Sequence, residues 1–187
     1  MYNKIIAVTN RHLCSIPFLQ QIERICLRHP KAVLLREKDL PEIEYEGLLA
    51  QVQKICGQYD VLCIPHTFAG AAQRLGASSI HFPLQLLLDS PEAAASFTRI
   101  GASIHSVADA QKAQAAGATY LTAGHIFSTS CKPGLAPRGT TFLKTVCTSV
   151  SLPVYAIGGM HATKKCLADM TDCKAAGICI MSECMNW

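Results

Sequence analysis

The chain has no stretch of about 18 uninterrupted apolar residues, so no transmembrane helix is expected. Its first apolar run, Ile5 to Val8, is broken at once by Thr9, Asn10, Arg11 and His12, which is too short for the core of a secretory signal. A cytoplasmic location and no membrane partner are expected. Charge is scarce, at 16% of residues with 17 basic against 13 acidic, and aromatics reach only 6%. No basic run extends beyond Lys164-Lys165. A surface that tracks phosphates and stacks bases needs both residue types on one face, so nucleic acid is not expected as a partner. The ten cysteines include no CxxC, and no two Cys/His pairs show finger-type spacing, which argues against a structural zinc. Most lie in apolar segments such as VLCIP and GICIMS, where a thiol acts as a small core hydrophobe, and without a secretory signal they are expected to be reduced.

What the sequence does have is apolar mass. Half of its 187 residues are hydrophobic, enough for one continuous core and a single domain over 1–187, and too many for a disordered chain. Eight short runs rich in β-branched residues recur: KIIAVT from Lys4, KAVLLR from Lys31, VLCIP from Val61, SSIHF from Ser78, RIGASI from Arg99, TYLTAG from Thr119, PVYAIG from Pro153 and GICIMS from Gly177. Segments of helical spacing lie between them, for example Ile16, Leu19, Ile22, Ile25 and Cys26 on one face. Small residues before three of the runs, at Gly76, Gly117 and Ala175-Ala176-Gly177, suit helix exits. Continuous apolar strands alternating with helices mean a parallel sheet covered on both faces, and eight such units mean a closed (β/α)8 barrel. The open doubly wound alternative lacks its GxGxxG after the first strand. Only Ser182 to Trp187 follow the eighth run, so the barrel's closing helix is expected to be absent. The apolar flank left there is expected to be covered by a second copy in a homodimer.

In such a barrel the chemistry sits at the carboxyl ends of the strands. Gly158-Gly159 ends the seventh strand before a helix entry, and backbone N–H groups there, with Met181 and Ser182 after the eighth strand, suit a phosphate. If the phosphate is their purpose, Gly159→Val should weaken phosphate-ester binding and leave the thermal midpoint nearly unchanged. His125, in TAGHIF, is placed at the barrel mouth, where imidazole can both take and give a proton near neutral pH. His105 stands at the fifth strand's end, although Ser106 beside it also reads as a helix cap. Arg36 and Lys38 follow the second strand. Lys132 and Arg138 lie on the Pro/Gly-rich segment STSCKPGLAPRG, where they are candidates to neutralise an anionic substrate.

Together LLREKDL, SIHSVADA, AGHIFSTSCKPGLAPRG and YAIGGM resemble the thiamine phosphate synthase/TenI family of barrels, over essentially the whole chain up to the eighth strand. Within it, the branch that couples a pyrimidine diphosphate to a thiazole phosphate carries a Gln two residues before the Arg of the second-strand motif, an Asn-Asp pair after strand three, and an acidic residue after strand four. These serve a magnesium diphosphate. Here the positions read Leu34, Pro65-His66 and Phe82-Pro83-Leu84-Gln85, which offer no hard oxygen ligands. The TenI branch's pattern matches Gly124-His125-Ile126-Phe127, Thr129, Cys131-Lys132, Gly134-Leu135 and Arg138-Gly139. The resemblance implies a metal-independent, cofactor-free thiazole tautomerase acting on a small phosphorylated thiazole, with His125 as acid/base. The alternatives it leaves are a thiamine phosphate synthase with divergent ligands and a non-catalytic regulatory paralogue.

Overall fold

A computed structural model of the chain describes residues 1–129 and 134–187. Each of the eight apolar runs forms one strand: β1 (Ile5–Val8), β2 (Ala32–Leu35), β3 (Leu62–Pro65), β4 (Ser79–Pro83), β5 (Arg99–Ile104), β6 (Tyr120–Gly124), β7 (Val154–Ile157) and β8 (Gly177–Ile180). All pair in parallel, in the order β3-β2-β1-β8-β7-β6-β5-β4. The two ends of that sheet meet through a single parallel bridge, His66 to His81, and Thr67 N–H donates to the His81 carbonyl at 3.0 Å. The result is a (β/α)8 barrel whose seam lies between β3 and β4.

The helices are α1 (Phe18–Cys26), α2 (Glu42–Gln58), α3 (Ala69–Arg74), α4 (Leu84–Asp89), α5 (Pro91–Ala95), α6 (Val107–Ala115), α7 (Gly139–Ser149) and α8 (Lys164–Asp172). Two of them, α4 and α5, share the β4–β5 connection, because Pro91 has no N–H for a continuous helix and suits the first turn of a new one. Ser106 and Thr163 cap α6 and α8 through their side chains.

Strand alternation divides the core in two. Ile5 and Ala7 of β1 and Val33 and Leu35 of β2 face the helices, while Ile6, Val8, Ala32 and Leu34 fill the barrel with Ile64, Tyr120, Tyr155 and Cys179. Leu121 and Leu35 are fully buried in the outer layer, where truncation to Ala costs about 2–5 kcal/mol. Gly101 makes room inside the barrel: a Cβ there would overlap the Tyr120 ring and His81 Nδ1.

Two expectations change here. Gly76 and Gly117 do take left-handed φ values of 67° and 88° at helix exits, but after α8 that role falls to Lys174, φ 65°. Gly177 instead lies in β8, where a Cβ would overlap the Lys4 carbonyl oxygen. After β8 comes one 3-10 turn, Cys184–Asn186, and no α-helix among the described residues. The flank is nevertheless partly covered: Cys184 and Met185 are fully buried, and Gln21 of α1 donates to the Cys184 carbonyl at 2.8 Å. No helix is long and apolar enough to cross a membrane among the described residues.

Candidate active site

Inward positions at the carboxyl ends of all eight strands open into one cavity of about 670 Å³. That size suits a small-molecule ligand. Arg36, Lys38, His105, His125, Gly158, Gly159, Met181 and Ser182 all line it, as the sequence led us to expect. Arg138 does not. Its guanidinium stacks over Phe142 of α7, 5.4 Å from the ring centroid, because the residue sits at the N-terminus of that helix and turns back along it. Lys132, the other loop candidate, lies outside the described residues.

His125 follows β6 directly and is 6% exposed. Its Nε2 lies 3.2 Å from the Leu135 carbonyl. A carbonyl only accepts, so that contact assigns the proton to Nε2 and leaves Nδ1 as the basic nitrogen of the neutral ring. Its backbone is clamped as well: Arg138 N–H donates to the His125 carbonyl at 3.0 Å, and Ile126 N–H to the Ile157 carbonyl at 2.9 Å. His105 donates from Nδ1 to the Gly124 carbonyl at 2.7 Å. Its N–H is accepted by Asp109, whose own N–H is capped by Ser106 at 3.0 Å, so the helix-entry reading of this segment holds as well.

Gly158 and Gly159 both adopt left-handed conformations, φ 99° and 66°. A Cβ on Gly158 would overlap that of His125, and one on Gly159 would come within 2.7 Å of Phe127 Cβ and 2.8 Å of the Ser128 carbonyl oxygen. The pair is therefore needed for the turn and for close approach to the histidine loop, whatever else it binds. The expectation that Gly159→Val spares stability is corrected by these contacts. The N–H groups of Gly159 and Met160 make no hydrogen bond among the described residues, which leaves donors at the rim for an anion. Nearby, Glu183 accepts from Ala162 N–H at 3.2 Å and from His161 Nδ1 at 3.0 Å, tying the loops after β7 and β8 together.

Sequence reasoning did not single out the opposite wall's interior. Arg36 and Lys38 face the cavity, while Glu37 between them turns back to β1. It is 2% exposed, accepts the Thr9 hydroxyl at 2.6 Å and both faces Arg11 N–H at 3.1 Å and its guanidinium at 3.2 Å. Arg11 also forks onto Asp39, holding that carboxyl well below the usual carboxylate range. Beneath them His81 is bonded on both ring nitrogens, to Tyr120 Oη at 3.0 Å and Ser103 Oγ at 2.9 Å. The His66 ring stacks on it, with centroids 5.6 Å apart. Burial first, then the charges of Lys38 and Arg36, push His81 down to about 3, and burial holds His66 well below 6.5 too. Both imidazoles are neutral. Strand alternation, His66 two residues after Ile64 and His81 two after Ser79, was the signal that places them inward.

The magnesium implied by a diphosphate substrate finds no fitting donors here. The cavity's carboxylates, Asp109 and Glu183, are engaged as above, and His66, His81 and Gln85 occupy the β3 and β4 ends. A hard cation prefers oxygen ligands, and no group of three or more His, Cys, Asp or Glu side chains is arranged for a metal among the described residues.

The sequence pattern of the thiamine monophosphate synthase (TMP-TENI) family matches residues 5–184. Among curated proteins, thiamine-phosphate synthase of Fusobacterium nucleatum is 31% identical over 97% of this chain and 91% of its own. Thiamine-phosphate synthase of Coprothermobacter proteolyticus is 30% identical over 98% and 87%. Among solved structures, thiamine phosphate pyrophosphorylase from Pyrococcus furiosus superposes with a TM-score of 0.82 at 25% identity, covering 98% of this chain and 88% of that one. These names favour the synthase alternative over the tautomerase and lend the tautomerase branch no support of their own. By the pattern that spans it and by these relatives, the chain belongs to the thiamine monophosphate synthase/TenI family.

Proposed function

We propose that the chain is an enzyme of thiamine biosynthesis that binds a phosphorylated thiazole in the barrel mouth and moves a proton on its ring, as a thiazole tautomerase. One observation carries this reading. His125, whose Nε2 lies against the Leu135 carbonyl and whose Nδ1 has no partner among the described residues, lines a cavity in which the described carboxylates, Asp109 and Glu183, are engaged by the protein. The phosphate arm is assigned to the rim of Gly158, Gly159, Met181 and Ser182, where backbone N–H groups act as donors. In the reaction, Nδ1 takes the proton from ring carbon 2, the C–H electron pair moves into the ring, and the exocyclic carbon receives a proton from the resulting imidazolium. The ring becomes aromatic with no net gain or loss of protons or electrons. A neutral imidazole can take the first proton and its conjugate acid can return it to the exocyclic carbon.

A second reading, transfer of a pyrimidine group to the thiazole phosphate as a thiamine phosphate synthase, is favoured by the names of the relatives. Ultraviolet absorbance of the aromatised thiazole, followed beside formation of thiamine phosphate, separates the two. Aromatisation in EDTA supports the first. Magnesium-dependent thiamine phosphate formation without aromatisation supports the second, and neither activity supports a regulatory paralogue.

A further inference from the structure

The end of the barrel opposite the mouth holds a cluster of thiols that the proposed reaction does not use. Cys26 is the last residue of α1, Cys56 lies in the last turn of α2, and Cys63 is the second residue of β3. The Cys26 thiol donates to the Cys56 sulfur at 3.8 Å, and both residues are buried. Cys63 is half-buried, and its thiol is close enough to interact with that of Cys56. Other described thiols meet carbonyls or thioethers instead: Cys184 donates to the Ile180 and Met181 carbonyls at 3.1 Å, and Cys14 and Cys166 to methionine sulfurs. A thiol facing a thiol has a covalent option that those lack. A groove at the amino ends of β2, β3 and β4 leads to the cluster. Cys56 and Cys63 both line it, and Lys31, Lys54, Asp60 and Ser78 give it polar walls. Water and a small polar oxidant can reach that pair, while Cys26, fully buried, lies behind it.

We propose that Cys63, Cys56 and Cys26 form a peroxide-reactive relay, in which oxidation enters at Cys63 and ends as a Cys26–Cys56 disulfide that ties α1 to α2. Each step balances. The Cys63 sulfur attacks a peroxide oxygen, the O–O bond breaks, and hydrogen peroxide leaves one water and a sulfenic acid on Cys63. The Cys56 sulfur then displaces the sulfenic hydroxyl, which departs as a second water with the Cys56 proton, and a Cys56–Cys63 disulfide forms. Last, the Cys26 sulfur attacks the Cys56 sulfur of that disulfide, and the leaving Cys63 sulfur takes the proton that Cys26 gives up. In sum two thiols lose two electrons and two protons, and the peroxide is reduced to two waters. Cys63 begins the sequence because it is the accessible member with a resolving thiol beside it. Cys26 ends it: the contact with Cys56, then burial, push its thiol up, so it reacts only once a disulfide has been brought against it. The thiols are reduced at rest, and the proposal is independent of which reaction His125 performs.

Titration of the folded wild-type chain with hydrogen peroxide tests it, with free thiols then blocked by iodoacetamide in denaturant and the tryptic peptides weighed. Cys26 falls in peptide 25–28, while Cys56 and Cys63 share peptide 55–74. The expected product joins the two peptides with the loss of two hydrogens, and fragmentation places the one alkylated cysteine of 55–74 at Cys63. Dithiothreitol reverses it. With dimedone present to trap sulfenic acid, the adduct is expected on Cys63 and the cross-link is lost. Cys63→Ser loses the cross-link at the same peroxide dose, and Cys26→Ser stops at a disulfide within 55–74. Should either variant fail to fold, the dimedone experiment on wild type decides alone. A dimedone adduct on Cys26 or Cys56 in place of Cys63 would overturn the proposal. So would a cross-link that forms as fast in Cys63→Ser, one that forms only in the unfolded chain, or three unoxidised thiols at a dose that already oxidises methionine.

Discussion

The two rims of the cavity are built from different materials. The rim of β6, β7 and β8 is mostly backbone: two left-handed glycines pack against the loop that carries His125, and the N–H groups of Gly159 and Met160 make no hydrogen bond among the described residues. The rim of β2, β3 and β4 is mostly side chain: two cations stand above His81, bonded to Tyr120 and Ser103, and His66, bonded to Thr67 and stacked on it. A backbone rim tolerates little change in shape, because a single Cβ collides with its neighbour. A side-chain rim tolerates changes in chemistry, because its residues reach the cavity from strands whose backbones stay put. The first rim therefore depends on the shape of its backbone, and the second on the side chains it presents, Arg36 and Lys38 above with His66, His81 and Gln85 at the β3 and β4 ends.

The comparison is sharpest at His125. Replacing it with Ala should lower kcat for aromatisation by about 10²–10⁴-fold with little change in KM, the range for a positioned general acid/base. Turnover at the wild-type rate would make the ring structural and pass the role to His105.

The side-chain rim makes its own prediction about pH. Unfolded, His81 takes up a proton near pH 6.5, and folded it does so only near pH 3. In that window the unfolded chain binds more protons, so the stabilisation is complete above pH 6.5 and is lost progressively as pH falls. At about 1.4 kcal/mol per pH unit the effect amounts to several kcal/mol, and His66 adds to it in the same direction. Thermal melts from pH 7.5 to 4 should show a steep fall that His81→Gln flattens. A flat wild-type profile would mean that the imidazoles are solvated.

Next in size is Gly159→Val. Left-handed strain together with the overlap on Phe127 and Ser128 should cost about 1–3 kcal/mol, read as a lower thermal midpoint, along with weaker phosphate-ester binding. An unchanged midpoint with lost affinity would show that the loop can open and that the glycine serves the ligand alone.

The smallest expected effect concerns the surface. Leu13 and Leu27 are 37% and 60% exposed, one in a loop held to the C-terminal turn, where Asn186 donates to the Leu13 carbonyl, and one just after α1, which Gln21 ties to the same turn. We expect a homodimer to cover such a face, seen as twice the chain's mass by light scattering. Leu27→Glu should then shift it to monomer, and a wild-type monomer at micromolar concentration would contradict the expectation.

The barrel was legible because fully covered strands read as apolar runs and each was followed by helical spacing. The mouth was legible because the fold assigns chemistry to strand ends. Other features depend on tertiary distance. Arg138 lies in a loop between β6 and α7, where spacing does not say which way a long side chain turns. Gly158-Gly159 reads as a phosphate loop, yet its packing against His125 and Phe127 is visible only in three dimensions. His66 and His81 were within reach of period-two alternation, but a histidine beside Pro65 or Phe82 carries no local mark of being one half of a stacked pair. Lys174 takes a left-handed turn usually given to glycine, and the nearness of the Lys4 carbonyl explains why Gly177 is spent three positions later in β8.

The central claim is that proton transfer by His125 on a phosphorylated thiazole proceeds without a metal. Its most direct test is the initial rate of thiazole aromatisation by ultraviolet absorbance, measured in excess EDTA and again with magnesium restored. Equal rates are expected in both, each lowered about 10²–10⁴-fold by His125→Ala. Aromatisation absent in both conditions, with thiamine phosphate formed only when magnesium is present, would contradict it.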